Sequence, residues 1–234
     1  MTARVCIIKR EKRMANRDDF KMEPQDYIRI LTERYPELSS VETEIRKALK
    51  MLISCFENGG KVLAGGNGGS AADCEHFAGE LMKSFAKKRR ISPEEAAVLK
   101  ELNPERGARL AEELEQALPV IVVSAHVGLT TAYANDKNWL TGYAQQVYGY
   151  GKPGDVLFAV TTSGNSANLL YAVDAAHARG MKVIALTGRG GGEIAKIADC
   201  SIIVPRKETY QIQELHLPVY HALCLQIEEY FFPV

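Results

Sequence analysis

Apolar residues follow two periods along this chain, and the two periods alternate. KVLAGG at 61–66, PVIVVSA at 119–125, VLFAVTT at 156–162, KVIALTG at 182–188 and CSIIVP at 200–205 are short runs, apolar almost throughout and bounded by turn residues. Such runs predict strands buried on both faces. Between them the period lengthens. Residues 24–57 predict two helices, and in the second Val41, Ile45, Leu49, Leu52, Ile53 and Phe56 recur at helical spacing, with Gly59 as the stop. Further helices are predicted at about 71–86, 138–149, 166–180 (from Ser166 as N-cap to Gly180 as stop) and 210–231, with a short one inside 188–199. Strands alternating with helices predict an α/β fold around a parallel sheet, with ligands at the carboxyl ends of the strands.

One segment breaks the alternation. Residues 92–117, within an insertion of about 88–118, are charged and helix-rich. Ser92-Pro93-Glu94-Glu95 and Asn103-Pro104-Glu105 each supply an N-cap, a proline at the first helical position and an early acid. Its place directly after the 71–86 helix predicts that it caps a pocket there or packs at a subunit boundary.

The 234 residues suffice for one domain over 24–234, and zero formal net charge gives no global field toward nucleic acid or an acidic membrane. Neither partner is expected. The first 23 residues form a basic tail, with seven Lys or Arg in the first 21 and no interleaved aromatics, so they predict a solvated, disordered arm. Met14 and Met22 are alternative starts. The N-terminus lacks the apolar stretch of a signal peptide, and no run reaches membrane-spanning length. Five scattered cysteines with no C-x-x-C fit a reducing cytoplasm and argue against a cysteine-built zinc site.

The candidate chemistry lies in three loops, 65–70, 161–166 and 187–192. The first, GGNGGS, is neither G-x-G-x-x-G nor a Walker A, which disfavours a dinucleotide or a nucleoside triphosphate. The second, TTSGNS, sets Thr161, Thr162, Ser163 and Ser166 around one glycine just before a helix. Hydroxyls, free N–H groups and a positive helix end predict a phosphate site. On the helix after the first loop, Ser70 and Asp73 read as a capping box, and His76 and Glu80, four apart, share a face. In the final helix Gln213, His216 and His221 stand among apolar residues, and Pro218 predicts a kink.

Taken together, GGNGGSAADCEHFAGEL, TTSGNSANLLYAVDAAHARGMKVIALTG and IQELHLPVYH resemble the sugar isomerase (SIS) domain family, and within it the phosphoheptose isomerases, over about residues 40–230 apart from the insertion. The resemblance implies a three-layer αβα sandwich with a five-stranded parallel sheet, N-terminal helices and a long C-terminal helix, assembled as a homotetramer with sites at subunit interfaces. It implies conversion of sedoheptulose 7-phosphate to D-glycero-manno-heptose 7-phosphate through an enediol, with Glu80 and His221 as acid–base residues. Substrate contacts map to Asn67, Gly68, Gly69, Ser70, Glu80, Asn135, Asp136, Thr161, Thr162, Ser163, Ser166 and Gln213. Some members bind one zinc ion per subunit, and the matching ligands are His76, Glu80, Gln213 and His221; no nucleotide cofactor is implied. The chain departs from the typical pattern in its insertion, at Tyr210 where an acid is usual, and at Ala125-His126. An alternative the resemblance leaves open is a non-catalytic SIS protein that binds a phosphosugar or the replication initiator as a regulator.

Overall fold

The computed structural model describes residues 25–233, so the basic tail at 1–23 lies outside the described residues. The order is α1 (Tyr27–Arg34), a 3-10 segment (Pro36–Val41), α2 (Glu42–Glu57), β1 (Val62–Gly66), α3 (Gly69–Met82), α4 (Pro93–Leu102), α5 (Pro104–Glu113) and β2 (Val120–Val122). There follow α6 (Val127–Asp136), a 3-10 turn (Trp139–Thr141), α7 (Gly142–Tyr150), β3 (Val156–Thr161), α8 (Ala167–Ala178), β4 (Lys182–Thr187), α9 (Ile194–Ile197), β5 (Cys200–Ile203) and α10 (Thr209–Phe231). The five strands form one all-parallel sheet in the order β2-β1-β3-β4-β5.

Strand alternation divides the core in two. Val62, Ala64, Val156, Phe158, Val160, Ile184 and Leu186 face α1, α2, α3 and α10, whereas Leu63, Leu157, Ala159, Val183 and Ala185 face α7, α8 and α9. Both faces are covered, which is why the strands are apolar at every position rather than at every second one. Phe77 of α3 stacks on Phe158 of β3 with ring centroids 4.7 Å apart, fixing the helix that carries His76 and Glu80 to the sheet.

The strand order creates a switch point. The chain leaves β1 toward β2 at one edge and leaves β3 toward β4 at the other, so a crevice opens between the carboxyl ends of β1 and β3. The loops 67–68 and 162–166 flank it.

Two local expectations change, at Ser70 and at residues 127–136. The Ser70–Asp73 capping box does not form: Gly68 (φ 56°) holds the N-cap position of α3 with no side-chain cap, and Ser70 is buried in the first turn. Residues 127–136, outside the predicted helices, are helix α6. The helix α10 runs through Pro218, with its neighbours Leu215, Val219 and Leu223 buried against the core. The insertion is a helical hairpin whose helices pack on each other and bury only Gly107. Its predicted caps are present: Ser92 and Glu95 form a reciprocal capping box, and Asn103 Oδ1 accepts from Arg106 N at 2.7 Å. It joins the body at an antiparallel bridge between Arg90 and Glu115.

Candidate functional site

The phosphate candidate is built by the end of β3 and the start of α8. Thr161 is buried, with its hydroxyl 3.2 Å from that of Ser166, and Ser163 Oγ accepts from Asn165 N at 3.2 Å. Ser166 holds the N-cap position of α8, as expected, but its side chain makes no capping bond. Leu169 N donates to the Ser166 carbonyl at 3.0 Å, and the N–H groups of Ala167 and Asn168 are left for an anion. The loop is braced from behind: Gly164 (φ 69°) lies so close to the Gly191 carbonyl that no side chain fits, and Ile194 N donates to the Gly164 carbonyl at 3.0 Å.

Across the crevice, the β1–α3 loop is tied to this one by a reciprocal amide pair. Asn67 Nδ2 donates to Asn168 Oδ1 at 3.0 Å, and Asn168 Nδ2 donates to Asn67 Oδ1 at 2.8 Å. Asn168 is buried, and the sequence reading passed over it; its offset of two after Ser166 places it in the first turn of α8, facing the loop. Tyr143 of α7, also overlooked, donates its hydroxyl to the Gly66 carbonyl at 2.9 Å. Gly68 and Gly69 are exposed, and the Gln213 amide lies directly against Gly69, where a Cβ would strike it.

The acid–base candidates converge where α3 packs on α10. His76 Nε2 is 3.1 Å from Glu80 Oε1 and 3.4 Å from His221 Nε2. Glu80 is largely shielded, 12% exposed, and its other oxygen accepts from Lys83 Nζ at 3.1 Å. Burial, and after it the neighbouring His76, lowers the pKa of His221, against an opposing pull from Glu80. On the far side of His76, Tyr220 Oη lies 3.0 Å from Nδ1 and donates to Asp73 Oδ1 at 3.4 Å. Two tautomers of His76 fit these contacts: with Nδ1–H donating to Tyr220 Oη, Nε2 is an acceptor turned toward Glu80 and His221, and with Tyr220 Oη donating to Nδ1, Nε2–H donates to Glu80. In the first, an acceptor beside a carboxylate calls for a proton or a cation between them. Burial raises the Asp73 carboxyl, whose Oδ2 has no partner.

The structure thus brings together His76, Glu80 and His221, and separately Asn67, Gly69, Gln213 and the Thr161–Ser166 loop around one strand edge. Asn135 and Asp136 stand apart: both are exposed at the end of α6, and Asn135 Nδ2 donates only to Asp136 Oδ1, at 2.9 Å. Among the described residues no group of three or more His, Cys, Asp or Glu forms a metal cluster; the contacts are pairwise, each through His76. Among the same residues no helix is long and apolar enough to cross a membrane. A groove of about 340 Å³ reaches His221 from the α1 side, between Tyr27, Ile30, Phe85 and Leu217, and the insertion contributes nothing to its lining. The expectation was that the insertion caps the pocket or packs at a subunit boundary; within the chain its hairpin packs on itself and lines no part of this groove.

The SIS domain family matches residues 26–123 and 110–188. The chain belongs to this family. It is 42% identical over 183 residues to the phosphoheptose isomerase of Methylibium petroleiphilum, covering 77% of this chain and 78% of the relative. It is 37% identical over 191 residues to that of Chromohalobacter salexigens, covering 80% and 84%. Among solved structures, the phosphoheptose isomerase of Francisella tularensis is 33% identical, with a TM-score of 0.68 over 86% of this chain and 94% of that one. The phosphoheptose isomerase of Neisseria gonorrhoeae is 34% identical, with a TM-score of 0.62 over 86% and 97%. This SIS-family chain is an isomerase, with the αβα fold and five-stranded parallel sheet that its motifs imply.

Proposed function

We propose that this SIS-family isomerase interconverts an aldose and a ketose phosphate, with sedoheptulose 7-phosphate as its ketose and D-glycero-manno-heptose 7-phosphate as its aldose. The observation that carries the reading is the meeting of Glu80 and His221 at His76, beside a hydroxyl-lined helix end. The phosphate binds at Thr161, Thr162, Ser163 and Ser166, where the Ala167 and Asn168 N–H groups of α8 are open. Asn67, Gly68, Gly69, Ser70 and Gln213 line the sugar chain, and Asn135 and Asp136 are assigned to it through the resemblance. Binding the remote phosphate holds the reacting carbons in register.

Glu80 takes a proton from C1 of the ketose, and the electron pair left behind forms the C1–C2 double bond of an enediol as the C2 carbonyl oxygen gains a proton from His221. Glu80 then returns its proton to C2 while His221 takes the O1 proton, and the C1 carbonyl of the aldose results. His76, whose Nε2 faces both groups, keeps them oriented.

The donor chemistry fits a divalent ion. Glu80 Oε1 and His221 Nε2 lie 3.1 and 3.4 Å from His76 Nε2, so two imidazoles and a carboxylate stand within reach of one ion. His76, Glu80 and His221 would hold it; Gln213, the fourth donor that the resemblance implies, lies against Gly69. When bound, such an ion supplies charge to polarise the carbonyl oxygen.

The test is turnover of sedoheptulose 7-phosphate by the purified protein, with and without zinc, followed by aldose formation. Glu80→Gln is expected to lower kcat by about 10²- to 10⁴-fold while phosphosugar binding persists. A variant with near-wild-type rate removes Glu80 from its role.

A further inference from the structure

The run Lys87-Lys88-Arg89-Arg90 reads as solvated surface, yet one of its members is inside the protein. The Arg89 side chain is fully buried, with Nε 2.7 Å from Glu228 Oε1, whose own side chain is 1% exposed. The rest of the guanidinium donates to the end of α3: one terminal nitrogen to the Leu81 carbonyl at 2.8 Å, the other to the Glu80 carbonyl at 3.0 Å. These are carbonyls of the last helical turn, which have no partner within the helix. From α10, Glu228 answers with both oxygens. Oε1 also accepts from Phe85 N at 2.9 Å, and Oε2 accepts from Ala86 N at 2.8 Å and Lys87 N at 3.1 Å. Phe85, pinned in this way, lies against His221 with ring centroids 5.4 Å apart.

Each hydrogen bond that the pair makes goes to main chain or to the other partner, and that main chain belongs to the segment between Glu80 and the wall of His221. A buried ion pair is a poor source of stability, because apolar residues of similar volume commonly serve as well. What an apolar pair cannot do is hold five main-chain groups at fixed distances. We propose that Arg89 and Glu228 are positioning residues: together they fix the last turn of α3, and with it Glu80, relative to Phe85 and His221 on the α10 side. The inference rests on the reading of Glu80 and His221 as the acid–base pair. It adds a device that sets their separation without touching substrate.

The variants Arg89→Lys and Glu228→Gln test it. The first keeps the charge and gives up the fork; the second turns an amide group toward main-chain donors. Each is compared with the wild type by kcat and KM for sedoheptulose 7-phosphate, by hydrogen exchange at the amides of 85–87, and by the imidazole ¹⁵N resonances of His221. The proposal expects kcat to fall about 10- to 100-fold with KM within about threefold. It also expects faster exchange at 85–87 and displaced His221 resonances, in proteins whose circular dichroism is unchanged. Variants that lose thermal stability but keep kcat and unmoved His221 resonances overturn it. Failure of both variants to fold also overturns it, since the pair is then a requirement of the fold alone. If the wild type does not turn over this sugar, the substrate reading falls by itself. The His221 resonances and the exchange at 85–87 then decide the positioning role, displaced supporting it and unmoved overturning it.

Discussion

At Gly69 the constraint is a neighbour rather than a backbone angle. The Gln213 amide occupies the place a Cβ would take, and it is the free end of a side chain, so it can be pushed aside. Gly69→Ala is therefore expected to cost at most about 1 kcal/mol of stability and to displace Gln213 from the sugar wall. Thermal unfolding together with kcat/KM checks this: a stable protein with a clearly lowered kcat/KM is the expected outcome. His216 poses a different problem. It is fully buried, and neither ring nitrogen has a hydrogen-bond partner. Burial lowers its pKa to about 4. Between about pH 6.5 and pH 4 the unfolded chain then binds more protons at this position than the folded one. The stability difference is fully present above the unfolded value and is lost as pH falls through this window, by up to about 3 kcal/mol. Urea unfolding of wild type and His216→Leu across this range checks it: the variant is expected to show the shallower acid dependence.

At the scale of elements, the site is held by contacts between helices that the loops alone do not specify. α3 is fastened to the sheet by the Phe77–Phe158 stack and to α10 by Tyr220, His221 and the Arg89–Glu228 pair. The α4–α5 hairpin is the opposite case. It buries no side chain of its own, leaves Val98, Leu102, Leu110 and Leu114 exposed, and meets the body at the Arg90–Glu115 neck. Replacing residues 92–113 by a short Gly-Ser turn is expected to change stability by no more than about 1 kcal/mol and to leave kcat intact. A large loss of activity would show that the hairpin serves a site completed by another copy.

For the whole molecule, the five-stranded sheet puts both glycine- and hydroxyl-rich loops at one switch point, and the long C-terminal helix returns across it with Gln213 and His221. Exposed Trp139, Tyr210 and Leu217 and the open groove beside His221 offer apolar surface that a partner subunit would cover. The resemblance implies a homotetramer, and a mass of four chains in sedimentation velocity is expected; a monomer at micromolar concentration counts against it. Asn135 and Asp136, whose side chains bond only each other within one chain, would join a site if assembly brings them to a neighbour's crevice.

The alternation of apolar periods was enough to determine the layered fold, because strands apolar at every position and separated by helices are those of a parallel sheet covered on both faces. Helix stops at Gly59 and Gly180 and the caps at Ser92 and Asn103 were legible for the same local reason: they depend on residues a few positions apart. The pairing of His76 with Glu80 was legible too, being one helical turn. What only the tertiary structure decided is everything that joins distant segments. The Asn67–Asn168 bridge, the Tyr220 support of His76 and the burial of Arg89 against Glu228 lie 101, 144 and 139 residues apart in sequence. No local pattern marks them, because their hydrogen bonds are specified by how helices pack on the sheet rather than by the period of either helix.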